Sequence, residues 1–109
     1  MQKISGKKII LTRGDTFKAI VGMVNENGEE YVPEQGDSIR FAMKEHYDDE
    51  TVLLEKTIPN DTLLLHIEPN DTKELPFGDY KYDIQLTYAN GDVDTFIDRA
   101  DITLTEEVD

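Results

Sequence analysis

Period-two alternation of apolar and polar residues, broken by turn residues at intervals of about eight to fifteen positions, and no amphipathic helical stretch longer than a turn predict an all-β domain. Eight or so short strands in 109 residues then mean a two-sheet sandwich or a small barrel. The whole chain, 1–109, reads as one domain with one modest core, frayed at 1–6 and 106–109.

The series begins at 7–12, and Arg13-Gly14-Asp15 turns the chain into a strand over 16–24 in which Phe17, Ala19, Val21 and Met23 share a face. Gly14 supplies the backbone angle of that turn and Asp15 can hydrogen-bond it. The tripeptide also spells an integrin-binding motif, but the need for a turn between two strands explains it. Asn25-Glu26-Asn27-Gly28 is a second turn. An extended piece at Tyr31-Val32 meets Pro33 and Gly36-Asp37, after which Ile39, Phe41 and Met43 alternate with polar neighbours as a half-buried strand.

Two strands follow the polar loop 45–50, at 52–58 and 62–68, joined at Pro59-Asn60-Asp61. Val52, Leu54, Ile58, Leu63, Leu65 and Ile67 face inward, which suggests a hairpin. Pro69 stops the second strand. Asp71-Thr72-Lys73-Glu74 then places a capping side chain three residues ahead of a glutamate, predicting one helical turn over about 71–75 that ends at Gly78. Residues 80–88 form the clearest strand, with Tyr80, Tyr82, Ile84, Leu86 and Tyr88 on one face. Asn90-Gly91 returns the chain through 92–97 and, after a kink near Asp98, into a last strand at 101–105.

A helical turn, then Gly78, then Tyr80 and Tyr82 entering a long strand is the pattern around the tyrosine corner of immunoglobulin-like domains, and it selects an immunoglobulin-like sandwich over a barrel. Tyr80 is the expected corner residue. Ordinary aromatic core packing would explain the same tyrosines. Tyr82 stands where antibody domains carry their second cysteine, and there is no tryptophan, so the likeness is to the fold rather than to antibodies.

Eleven basic against twenty-four acidic residues give a net charge of −13, which disfavours nucleic acid and anionic membranes and suits a protein or cation partner. With no cysteine there is no disulfide or thiolate metal site, and stability rests on packing and strand pairing. No apolar run approaches the roughly 18 residues of a membrane span, and Ile9-Ile10-Leu11 is too short for a secretory core, so synthesis and retention in a cytoplasm are expected.

Catalysis has few candidates: the serines are Ser5 and Ser38, and the histidines are His46, in a loop, and His66, on an outward strand phase. We expect no enzyme. Asn25, Asn27 and Glu29, the run Asp48-Asp49-Glu50, and Asp92 with Asp94 cluster oxygen ligands, but none makes a full calcium loop, so no metal or cofactor is expected.

With the strands placed, the chain resembles small immunoglobulin-like proteins of phages and prophages of Gram-positive bacteria, in particular the amino-terminal domain of upper baseplate proteins. The resemblance is carried by Leu11-Thr12-Arg13-Gly14-Asp15-Thr16, Gly36-Asp37, the run Leu75-Pro76-Phe77-Gly78-Asp79-Tyr80-Lys81-Tyr82-Asp83-Ile84, Gly91 to Ile97, and Leu104 to Val108. It implies a non-enzymatic virion component, tail or baseplate associated, that docks to other phage structural proteins and assembles in the host cytoplasm. The competing readings are a carbohydrate- or surface-binding sandwich, for which exposed aromatics and an export signal are not evident, and an acidic cytoplasmic adaptor.

Strand phase gives an expected docking face. If Phe17, Val21, Leu63, Leu65 and Ile67 point inward, Ile20, Val24 and Leu64 point outward. In the immunoglobulin arrangement the flanking strands 7–12 and 52–58 add Leu53 and one of Ile9 or Ile10, completing a patch that could also serve self-association. The opposite sheet presents polar residues, with Phe96 as the exception.

Overall fold

The computed structural model describes residues 2–4, 8–23, 28–46, 48 and 50–106. Its strands are β1 (Gln2–Ile4), β2 (Ile9–Thr12), β3 (Phe17–Val21), β4 (Ser38–Lys44), β5 (Leu54–Ile58), β6 (Leu64–Ile67), β7 (Gly78–Thr87) and β8 (Val93–Thr105), with a single helical turn, α1 (Pro69–Thr72). They form two sheets. A five-stranded sheet runs β2-β8-β7-β4-β5, and a three-stranded sheet runs β1-β3-β6. The β1–β3 and β2–β8 ladders are parallel; the other ladders are antiparallel. Gln2–Ile4, expected to fray, instead extend the small sheet through β1.

Alternation in each strand sends one set of side chains between the sheets. Ala19 and Val21 of β3 and Leu65 and Ile67 of β6 face Ile39, Phe41 and Met43 of β4, Tyr82, Ile84 and Leu86 of β7, and Ile97, Ile102 and Leu104 of β8, all buried. Phe41 and Tyr82 stack obliquely at 5.5 Å in the middle of this core. The apolar faces of β3, β4, β6 and β7 agree with their sequence patterns.

The pairing of β5 does not. Residues 52–58 and 62–68 were expected to form a hairpin, yet β5 pairs with β4 in the large sheet while β6 pairs with β3 in the small one. The reason lies in the connection: Leu63 adopts a left-handed backbone (φ 54), and its N–H donates to the Pro59 carbonyl at 2.9 Å. That turn carries the chain from one sheet to the other. Leu63 is half-buried at the core margin rather than inside a strand.

The kink near Asp98 is a β-bulge. Ile84 pairs with Ile97 and Tyr82 with Ala100, so Asp98 and Arg99 together oppose Asp83. Arg99 takes φ 54, and its N–H donates to the Asp83 carboxylate at 2.8 Å. A second irregularity, between Ile84 and Gln85, displaces Phe96. Phe96, expected on the outer surface, is half-buried with its ring 5.9 Å from that of Tyr31.

The helical turn sits two residues earlier than expected. Pro69 ends the preceding strand and also opens α1, since its fixed φ suits a first helical position and its missing N–H is not needed there. Asp71 acts as the third helical residue, its carboxylate accepting the Glu68 N–H at 2.7 Å. Gly78 is not the end of the turn but the first residue of β7.

Candidate functional site

Of the residues singled out from the sequence, Gly14, Asp15, Leu53, Gly78 and Tyr80 lie at one end of the sheets, where the β2–β3 turn, the β4–β5 loop and the α1–β7 connection meet. Gly14, at φ 84, turns the chain, while the Asp15 N–H donates to the Thr12 carbonyl at 3.1 Å. The Gly14 N–H donates to Thr72 Oγ1 at 3.0 Å, which gives that buried hydroxyl its partner and ties the turn to α1. Arg13 reaches further. Its guanidinium donates to the Leu75 carbonyl at 3.2 Å and lies 4.1 Å from the centre of the Phe77 ring. Its role is thus to fasten the turn to the α1–β7 connection, the structural reading of the tripeptide.

Tyr80 closes the same corner. It is only 5% exposed, and its hydroxyl donates to the Pro76 carbonyl, four residues upstream, at 2.6 Å. Burial raises its pKa. Tyr82, two residues on, is buried under Phe41, and loss of solvent, reinforced by Asp101, pushes its pKa up to about 12. Tyr80 therefore ties the start of β7 back to the α1–β7 connection, and Tyr82 is a core residue.

Beside the corner lies an open cleft of about 320 Å³. Leu75 and Tyr80 line it together with Leu53, Phe77, Glu45 and Asp79. Phe77 is 46% exposed and Leu53 37% exposed. Leu53 is fixed through its N–H, which donates to the Met43 carbonyl at 2.8 Å, and Asp79 accepts from Thr103 Oγ1 at 2.6 Å. The cleft thus joins two exposed apolar side chains to two carboxylates on a hydrogen-bonded frame.

The docking face expected from strand phase is only partly assembled. Ile20, 38% exposed, pairs directly with half-buried Leu64 on the small sheet. Leu53 belongs to the other sheet, at the cleft, because β5 pairs with β4. Ile10 is exposed, but β2 runs along β8, so it too lies on the large sheet. Val24 lies outside the described residues. Among the described residues named for that face, Ile20 and Leu64 adjoin each other, and Leu53 lies apart from them. Sequence reasoning missed Phe77 and Glu45 as cleft residues; the available signal was an apolar Leu75-Pro76-Phe77 run in a connection rather than in a strand.

The opposite end holds the β7–β8 turn, where Asn90 Oδ1 accepts the Asp92 N–H at 2.9 Å and Gly91 takes φ 94. There Gly36, at φ 96, packs so closely on Ala89 that a Cβ would lie 2.9 Å from the Ala89 Cβ. Tyr31 donates to the Asp37 carboxylate at 2.6 Å, and Asn60 Nδ2 donates to the Asp37 carbonyl at 2.8 Å. That hydrogen bond, then burial and the nearby negative charge, pushes the Tyr31 pKa up to about 12, while the same bond holds the Asp37 carboxyl below its usual 3.8. The contacts lock a loop.

Among the described residues no three metal-ligating side chains converge, and no helix is long and apolar enough to cross a membrane. His46 is exposed, and His66 sits half-buried opposite Lys18 in the β3–β6 register. No family model, curated protein or solved structure matches the chain.

Proposed function

We propose that this protein is a non-enzymatic structural or docking component of a phage or prophage particle, tail or baseplate associated, built on an immunoglobulin-like sandwich. One observation carries the reading: residues behind the resemblance, Arg13, Gly14, Leu75, Phe77 and Tyr80, meet at one hydrogen-bonded corner beside an apolar cleft. A corner fixed in this way is suited to presenting a surface to a partner. The partner would be another phage structural protein.

The sheet orders favour the finer fold assignment. β8-β7-β4-β5 matches the order G-F-C-C′ of variable-type immunoglobulin domains, and adjacent β3 and β6 match strands B and E. The Tyr80 bond to Pro76 has the geometry of the tyrosine corner. The parallel β1–β3 ladder departs from that pattern. Particles purified after prophage induction are expected to contain peptides of this chain; its absence from intact particles in cells that express it would refute the assignment and favour a cytoplasmic adaptor.

A further inference from the structure

We propose that the cleft between the β4–β5 loop and the α1–β7 connection binds a basic segment of a partner protein, with an apolar side chain against Leu53 and Phe77 and flanking lysines or arginines at Glu45 and Asp79. The inference deepens the docking role proposed above and rests on it. Three observations point to this occupant. The Phe77 ring is held by Arg13 and Leu53 by a backbone bond to β4, so two large apolar side chains are exposed at defined positions. A volume of about 320 Å³ is at the small end of ligand pockets, enough for a side chain and its flanks rather than a folded surface. Among the described residues the cleft lining carries two carboxylates and no ammonium or guanidinium group; the Arg13 guanidinium lies against the Phe77 ring and is engaged there and at the Leu75 carbonyl.

Charge decides among occupants. A second copy would bring another −13 to the contact, and nucleic acid would bring phosphates, so both are repelled. A basic segment is attracted by the whole molecule and then sorted by the two apolar side chains. Fixed aromatic and aliphatic anchors lower the ordering cost of binding, which makes Phe77 the residue most sensitive to truncation.

The test uses the full chain, ¹⁵N-labelled, titrated with a fluorescein-labelled heptapeptide alternating lysine with leucine, and with two controls in which serine replaces leucine or glutamate replaces lysine. Saturable amide shifts confined to Glu45, Leu53, Leu75 and residues 77–80 are expected with the lysine–leucine peptide alone. Phe77→Ala is expected to weaken it about tenfold or more, and Glu45→Lys several-fold, each with an otherwise unchanged spectrum. Should Phe77→Ala disturb the fold, Leu53→Ser reads the same wall of the cleft from another element. Shifts centred on Ile20 and Leu64, equal binding of the lysine–serine peptide, or no saturable shift would overturn the proposal. Its failure is distinguishable from that of the particle assignment: Phe77→Ala chains that enter particles normally sink the cleft alone, whereas specific peptide binding by a chain absent from particles sinks the assignment alone.

Discussion

Replacing Tyr80 with phenylalanine removes one oxygen and leaves the ring in place. That oxygen belongs to a side chain only 5% exposed and donates a 2.6 Å hydrogen bond to the Pro76 carbonyl. The net loss for such a bond is about 1 kcal/mol, rising toward 1.5 if the carbonyl finds no water in its place. In a domain of this size 1 kcal/mol lowers Tm by about 4–8 °C, and with a urea m-value of about 1–1.5 kcal/mol/M it moves the midpoint by about 0.7–1 M. Urea unfolding followed by circular dichroism measures this, with m unchanged if only native stability is affected. Tyr80→Ala, which also empties the ring's site, is expected to cost about 3–5 kcal/mol. A Tyr80→Phe midpoint equal to wild type would refute the corner bond as a stabilising contact and reduce Tyr80 to core packing.

Gly36→Ala combines a left-handed backbone at φ 96 with a Cβ 2.9 Å from that of Ala89, so we expect about 1–3 kcal/mol of destabilisation in the same assay. Leu65→Ala opens a cavity between the sheets and is expected to cost about 2–5 kcal/mol, whereas Ile20→Thr, on the outer face of the same small sheet, stays within about 0.5 kcal/mol of wild type. Tyr31 and Asp37 predict loss of stability at both extremes of pH. The raised Tyr31 value contributes stability present below the unfolded pKa of 10.0 and lost as pH rises through about 12; the lowered Asp37 value contributes stability present above 3.8 and lost as pH falls further. Phenolate absorbance is expected to lag behind that of urea-unfolded protein above pH 10, and coincident titrations would contradict the Tyr31–Asp37 lock.

The inward face of nearly every strand was legible because it depends on local alternation. Ala19, Val21, Leu65, Ile67, Tyr82, Ile84 and Leu86 are buried as their spacing requires. Alternation does not say which sheet a strand joins, and that is where β5 was misplaced: Pro59-Asn60-Asp61 marks a turn but not its direction, and Leu63 and Arg99 take left-handed angles without being glycine, asparagine or aspartate. Phe96 went astray because it is itself the extra residue of the second irregularity, between Thr95 opposite Gln85 and Ile97 opposite Ile84, where plain alternation fails. Tyr80 was legible because its partner lies four residues away in the chain. The cleft was not. It brings Glu45 and Leu53 from one loop against Leu75 and Phe77 from another and Asp79 from the start of β7, and only the tertiary fold makes them neighbours.

Docking through the corner end is the central claim, and site-specific photocrosslinking in assembling particles tests it most directly. A photoreactive residue replacing Leu53, at the cleft, is compared with one replacing Val93, exposed at the opposite end of the large sheet. Illumination is expected to give a covalent adduct with one other particle protein from position 53 and none from position 93. Adducts from position 93 alone, or from neither position in particles that contain the chain, would contradict the account.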